Sequence, residues 1–256
     1  MHLHDYYTMN AIREQMQVMS ETSDIIVSSL LLQSIKPRAI IELGAGSGGW
    51  PKTMYTIGGI NNCQWILFED FSWIKNNFQD AQYYWPKDED DFYQFVEKTA
   101  PGLKTMLLNC DVNSVKETNV LSDILQSNTN LQFDALRLDC PIRWDIMEYF
   151  INILSDNALF FIDDHRANCG MERIIIGVDM VRKGLLFPVW FGEKEAVYCK
   201  NLNRANELKQ IITNIIPSVY NNIFPNRQLH YTTSDETWEF VATTSFKVFT
   251  NDNDVK

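Results

Sequence analysis

Short apolar runs alternate with stretches whose apolar residues recur every three or four positions, and the alternation repeats five times between residues 38 and 182. The runs 38–43, 64–69, 104–109, 133–138 and 158–162 predict strands. The periodic stretches 50–56, 90–99, 115–126, 145–154 and 171–182 predict the helices after them. Continuous hydrophobicity along a strand means that both of its faces are covered. The expected fold class is therefore α/β, a parallel sheet between two helical layers. Two more runs, 187–191 and 196–200, are separated by residues 192–195 alone. That connection cannot hold a crossover helix, so these two strands pair antiparallel.

Residues 9–34 carry a helical period that breaks near 21–24, with Ser23 or Asp24 as the expected N-cap, and Lys36-Pro37 ends it. Beyond 200 a helix is expected at 204–215, strands at 228–232 and 238–249, and a frayed tail at 251–256. The organisation expected is a helical cap (1–37), a central domain (38–200) and an appendage (201–256) packed on it. The cap either covers the site or packs in a homo-oligomer. A chain of 256 residues fits this, and 45% hydrophobic against 21% charged residues excludes disorder and fibrous structure. Thirty-three acids against 22 bases give −11, so no fold-wide basic surface for nucleic acid is expected. Five scattered cysteines without a C-x-x-C pair argue against a zinc ribbon or disulfide framework. The N-terminus has no secretory pattern, and the longest greasy stretch, 25–32, is too short to span a membrane. A soluble, cytoplasmic protein is expected.

The first strand runs into Glu42-Leu43-Gly44-Ala45-Gly46-Ser47-Gly48-Gly49. Glycines allow a sharp turn and close approach of a ligand, and the helix start behind them favours an anion. Gly44, Gly46 and Gly49 satisfy G-x-G-x-x-G, which leaves a dinucleotide-binding dehydrogenase open. Glu42 at the strand end would repel a pyrophosphate and attract an ammonium. The second strand ends in Glu69-Asp70, where an acid can accept two ribose hydroxyls, and the third ends near Asp111. A ligand-free strand–helix turn is the bland alternative.

The fourth strand ends in Asp139 and the fifth in Asp163-Asp164-His165. Neighbouring parallel strands bring these carboxylates to one rim, where they repel unless protonated or bridged by a cation. Oxygen-only donors select Mg²⁺, then Ca²⁺ or Mn²⁺. The bland alternatives are a strand-end acid beside Arg137 or Arg143, and aspartates that cap the next helix.

The E-x-G-x-G-x-G spacing resembles the first motif of class I S-adenosylmethionine (SAM) methyltransferases. The stretch Leu138-Asp139 … Leu159-Phe160-Phe161-Ile162-Asp163-Asp164-His165 … Gly170 … Val178-Asp179 is similar to the macrocin-type (TylF-like) sugar O-methyltransferases, as is the closing Ala196-Val197-Tyr198-Cys199-Lys200. The likeness covers roughly residues 25–200. It implies a Rossmann-like class I sheet of seven strands, mostly parallel with an antiparallel last strand. It implies SAM among Glu42, Gly44, Ala45, Gly46, Gly48, Glu69, Asp70, Asp111 and Asp139, with Asp111 near the adenine amino group. It also implies a divalent metal, Mg²⁺ first, on Asp139, Asp163 and Asp164. The chain departs from the family in Asp139-Cys140-Pro141-Ile142-Arg143, where Asp-Gly-Asp-His is usual, and in His165-Arg166 after the paired aspartates. The implied activity is methyl transfer to a hydroxyl of a carbohydrate, free, nucleotide-linked or polymer-bound. His165 is then the candidate general base, with Asp139 beside it, and Arg143 and Arg166 are candidates for a substrate phosphate. Trp50, Trp73 and Trp85 are candidate pocket walls, and 70–87 a candidate lid. An RNA 2′-O-methyltransferase is the enzymatic rival, with a Lys36, Asp139, Lys183, Glu195 tetrad, opposed by the acidic balance. A degenerate SAM-binding scaffold is the non-enzymatic one.

Overall fold

The computed structural model describes residues 22–72, 85–128, 130–164, 171–192 and 194–223. Helix α1 (Thr22–Ile35) leads into β1 (Ala39–Leu43), α2 (Gly49–Thr56), β2 (Gln64–Phe68), α3 (Glu89–Thr99) and β3 (Thr105–Leu108). A 3₁₀ turn (Val112–Ser114), α4 (Val115–Thr118) and α5 (Val120–Ser127) connect to β4 (Phe133–Leu138). Then follow α6 (Trp144–Ile153), β5 (Leu154–Ile162), α7 (Met171–Arg182), β6 (Phe187–Phe191), β7 (Ala196–Cys199) and α8 (Leu202–Ile223). The seven strands form one sheet in the order β3-β2-β1-β4-β5-β7-β6. All pairs are parallel except those of β7, which runs against both β5 and β6. This is the α/β architecture that the hydrophobic pattern predicts.

Local chemistry moves several boundaries. The helix expected over 115–126 is split at Asn119, whose φ of 53° separates α4 from α5. Ser23 and Asp24, expected just before the helix, fall inside α1, which begins at Thr22. Asp24 is instead buried inside the first turn and accepts the Lys194 N–H at 2.9 Å. Helix α8 runs well past the expected 204–215, and β5 starts earlier than 158. α3 follows its sequence signals closely: Asp88 caps it through the Asp91 N–H, and Glu89, Asp90 and Asp91 favour its positive end. The strand candidates 228–232 and 238–249 lie outside the described residues. Among the described residues no helix is long and apolar enough to cross a membrane.

Side chains alternate across a strand, and here both sets are buried. Ile40, Trp65, Leu67, Ala135, Leu159, Phe161 and Val197 face one core, shared with Ile25 and Leu31 of α1, Trp50 and Met54 of α2, Phe92 and Val96 of α3, and Leu208 of α8. Ile41, Ile66, Phe68, Leu136, Leu138, Phe160, Ile162 and Tyr198 face the other, under Leu121 of α5, Phe150 of α6 and Met180 of α7. The parity of each strand therefore decides which layer its last residues meet.

One lysine is caught in the first layer. Lys52 of α2 is fully buried, and its Nζ has no hydrogen-bond partner among the described residues. It sits 3.8 Å from the centroid of the Phe95 ring. Burial pulls its pKa down to about 7, opposed by the charge of Glu42. An unfolded lysine holds its proton to about pH 10.4. Between these values the unfolded chain binds more protons, so stability should rise with pH by about 1 kcal/mol per unit, and the slope should vanish below pH 7. Buried carboxylates titrate in the same range, so the measure is a difference: in urea unfolding the stability of the native chain relative to Lys52→Met should rise by this amount per unit between pH 7 and pH 9.

Candidate active site

Strands β1 and β4 are neighbours, yet α2 after β1 covers one face of the sheet and α6 after β4 covers the other. Such a divergence opens a crevice at the carboxyl ends of the strands, where open α/β sheets bind ligands. The glycine loop lines it. Gly44 has φ +84°, and a Cβ there would lie 2.7 Å from the Cys140 Cβ and 2.8 Å from the Asp139 carbonyl oxygen. A Cβ on Gly46 (φ +55°) would meet the Trp85 ring at 3.0 Å. The loop is held from β2: the N–H groups of Gly44 and Ala45 donate to the Phe68 carbonyl. Glu69 then clamps it, its Oε2 accepting the Gly46 N–H at 2.7 Å and its Oε1 the Phe71 N–H at 2.9 Å. Burial raises the Glu69 pKa, and these two bonds oppose the rise. Asp70 and Asp111 reach the same rim, each tied to its own turn. Asp70 Oδ1 accepts from Ser72, and Asp111 Oδ1 accepts the Asn113 N–H at 2.9 Å.

Register and parity build the charged floor of the crevice. Glu42 pairs with Arg137 across β1 and β4, and Ile162 with Ala196 across β5 and β7. Glu42, Arg137, Asp139, Asp163 and Glu195 consequently fall on one face of the sheet. The Arg137 side chain is 4% exposed. Its Nη1 donates to Glu42 Oε1 at 2.8 Å and to Asp139 Oδ2 at 2.9 Å. Its Nη2 meets Asp163 Oδ2 at 3.0 Å, and its Nε lies 3.5 Å from Glu195 Oε2. Trp50 stacks over the guanidinium at 5.2 Å. Burial would discharge this arginine, but Asp163, Asp139, Glu42 and Glu195 outweigh it and hold it charged. Ser28 of α1 donates to Glu195 Oε1, which fastens α1 to the same cluster.

A second arginine closes the rim. Arg173, in the first turn of α7, places Nη1 at 2.9 Å from Asp139 Oδ1, 3.2 Å from the Asp163 carbonyl oxygen and 3.9 Å from Asp164 Oδ2. Asp139, Asp163 and Asp164 each offer a carboxylate oxygen within 4.8 Å of the others. Asp163 Oδ1 and Glu42 Oε2 are buried and have no hydrogen-bond partner among the described residues. Burial and the neighbouring Asp163 push Asp139 up to about 7, against the pull of Arg137 and Arg173. Burial lifts Glu42 to about 8 despite Arg137, and lifts Glu195 as well. Five carboxylates thus surround two guanidinium groups, and burial raises the pKa of three of them, Glu42, Asp139 and Glu195.

The structure brings together Glu42, the glycine loop, Glu69, Asp139, Asp163 and Asp164. Glu42, expected to face an ammonium, lies 1% exposed against Arg137. Asp139 does pair with Arg137, while Arg143 pairs with Asp145 at 3.0 Å. His165, Arg166, Trp73 and most of the candidate lid at 70–87 lie outside the described residues. The Lys36, Asp139, Lys183, Glu195 tetrad does not assemble. Lys36 precedes β1 and so sits at the opposite rim from Asp139, and Lys183 follows α7 and binds Glu148 and Asp179. The reversed β7 likewise departs from the all-parallel order of dinucleotide-binding sheets. Two open clefts of about 470 and 450 Å³ border Ser34, Arg38, Asp134, Asn157 and Arg204 at that opposite rim, away from the glycine loop.

Sequence reasoning missed three residues as parts of the site. Arg137 and Glu195 carry a readable signal, since strand parity sets both on the face of Glu42. Arg173 carries a weaker one: a cation in the first turn of a helix opposes the helix dipole and needs an acid nearby.

The strand order, the reversed β7 and the glycine loop at the switch point define the Rossmann-like fold of class I methyltransferases. No family model and no curated protein matches the chain. Solved structures do. A Staphylococcus aureus protein provisionally named a caffeoyl-CoA O-methyltransferase gives a TM-score of 0.52 at 9% identity, over 75% of this chain and 91% of that one. An O-methyltransferase from Bacillus cereus, solved in complex with SAH (S-adenosylhomocysteine), gives 0.50 at 10% identity, over 76% of this chain and 89% of that one. At these identities the likeness is one of fold.

Arg137→Met should lose about 3–5 kcal/mol in urea unfolding at pH 7, because it strands buried carboxylates without a counter-charge. Adding Glu42→Gln should recover part of that loss.

Proposed function

We propose that the chain is a SAM-dependent O-methyltransferase whose acceptor is a sugar hydroxyl, with a divalent cation, Mg²⁺ first, at Asp139, Asp163 and Asp164. The observation that carries this reading is the coincidence, at one switch point, of a glycine loop clamped by Glu69 and a carboxylate trio touching that loop through Asp139. The composition supports a cytoplasmic setting.

The loop suits a nucleoside amino acid. Positive φ at Gly44, Gly46 and Gly48 lets the loop turn sharply, with Asp139, Trp85 and Phe92 packed where side chains would otherwise stand. Each Glu69 oxygen accepts one backbone N–H and keeps a lone pair for a ribose hydroxyl. Asp111 stands at the next strand end, the place of the adenine edge. SAM, when bound, supplies a methyl group made electrophilic by its sulfonium. The chain's part is to hold acceptor and donor in line.

The trio suits a hard cation in its donors, all carboxylate oxygens, and in the orphaned Asp163 Oδ1. A cation there, when bound, lowers the pKa of a hydroxyl beside it. Two adjacent hydroxyls, as in a sugar, match that requirement better than an isolated one. His165, next in the chain after Asp164, is assigned the removal of the hydroxyl proton. Asp139 orients the acceptor from the trio side.

Thermal melting with S-adenosylhomocysteine tests the first half. At 100 times its dissociation constant the ligand should add about 2.7 kcal/mol of stability. No shift at saturating ligand would overturn the assignment. Glu69→Gln should weaken the nucleoside about tenfold or more in calorimetry, through lost hydrogen bonds to charge. Asp163→Asn should abolish methyl transfer to a vicinal diol while nucleoside binding persists, and transfer at the native rate would remove the cation from the reading.

A further inference from the structure

The carboxylate trio already holds a cation of its own. A single nitrogen, Arg173 Nη1, contacts Asp139 Oδ1, the Asp163 carbonyl and, more distantly, Asp164 Oδ2. It thereby touches all three residues of the proposed metal site. Arg137 also binds Asp139 and Asp163, but through the opposite oxygen of Asp139, Oδ2, and from within the sheet. The two arginines therefore divide the Asp139 carboxylate between them. Arg137 is locked among β1, β4, β5 and the start of β7, and no ligand can replace it without opening the sheet. Arg173 comes from a helix start at the rim, and its side chain is 15% exposed. Its charge stands at the positive end of α7, where the helix dipole disfavours it. Its place there is stabilised by the acids it faces.

A divalent ion would need the oxygens that Arg173 now uses. Mg²⁺ binds carboxylate oxygen at about 2.1 Å, against a hydrogen bond near 2.9 Å, so both cannot occupy Asp139 Oδ1 from the same side. Resting on the metal reading above, we propose that Arg173 is the resident counter-ion of the trio and that a divalent cation binds only by displacing it. The arginine then keeps three close carboxylates from repelling one another when no metal is present. It also weakens metal binding by the interaction that the ion must break. An incoming ion meets the more exposed carboxylates of Asp139 and Asp164 first, and the buried Asp163 Oδ1, without a hydrogen-bond partner among the described residues, gains a partner once the ion is seated.

Mn²⁺ titration followed by electron paramagnetic resonance of the free ion tests this on the full chain. Arg173→Gln should bind Mn²⁺ at least about tenfold more tightly than the native protein, because a like charge a few ångströms away is removed. Arg173→Lys should stay near the native affinity. Equal affinity in all three, or weaker binding in Arg173→Gln, would overturn the displacement and leave the metal site standing. No Mn²⁺ binding in any of them would overturn both readings. In the unsubstituted protein, phenylglyoxal labelling of Arg173, read by peptide mass spectrometry, should increase when Mg²⁺ is added. Unchanged labelling at a Mg²⁺ concentration that saturates the site would refute the displacement without reliance on any variant.

Discussion

The Arg137 guanidinium holds the carboxyl ends of the sheet together. It replaces water for Glu42 on β1, Asp139 after β4, Asp163 after β5 and Glu195 before β7. Acids at the end of strands are needed if the crevice is to handle cations or hydroxyls, yet acids this deep cannot ionise alone. A planar, permanently charged fork with several donors meets that constraint where a lysine could not. The glycine loop depends on it indirectly, since Gly44 packs on the backbone of Asp139.

The two arginines divide the labour by depth. Arg137 belongs to the fold and neutralises the acids that never leave the core. Arg173 belongs to the rim and pairs with the acids exposed there. Between them Asp139 accepts from both arginines, and its raised pKa reflects burial more than any single neighbour. The likeness to O-methyltransferase structures concerns the frame in which this floor is set.

Much of this was legible in the chain. The strands of the sheet are uninterrupted apolar runs because both faces are covered, so their positions follow from hydrophobicity alone. The short 192–195 connection announced the reversal of β7. The glycines and Glu69 could be read because a tight turn and a strand-end acid each leave a local mark. Long-range pairing leaves none. Asp24 looked like a helix cap, but its real partner is the backbone of Lys194, 170 residues away. Arg137 reads in the sequence only as one of two possible neighbours of Asp139, because a charge inside a buried strand is read as an exception. Parity with Glu42 would have placed it, once β1 and β4 were known to be adjacent. The break at Asn119 depends on a left-handed residue that helical periodicity does not register.

The charged floor also has a consequence for how the chain folds. Its members are far apart in sequence: Glu42 and Arg137 are separated by 95 residues, Ser28 and Glu195 by 167. No local segment can form it, and half of it would be a set of desolvated charges without partners. The floor therefore closes only after β1, β4, β5 and β7 have docked, late on the folding route, when loop-closure entropy has already been lost. Interactions that form after the transition state slow unfolding and leave the folding rate nearly unchanged. The same arginine that readies the crevice for chemistry thus acts as a kinetic latch on the finished sheet.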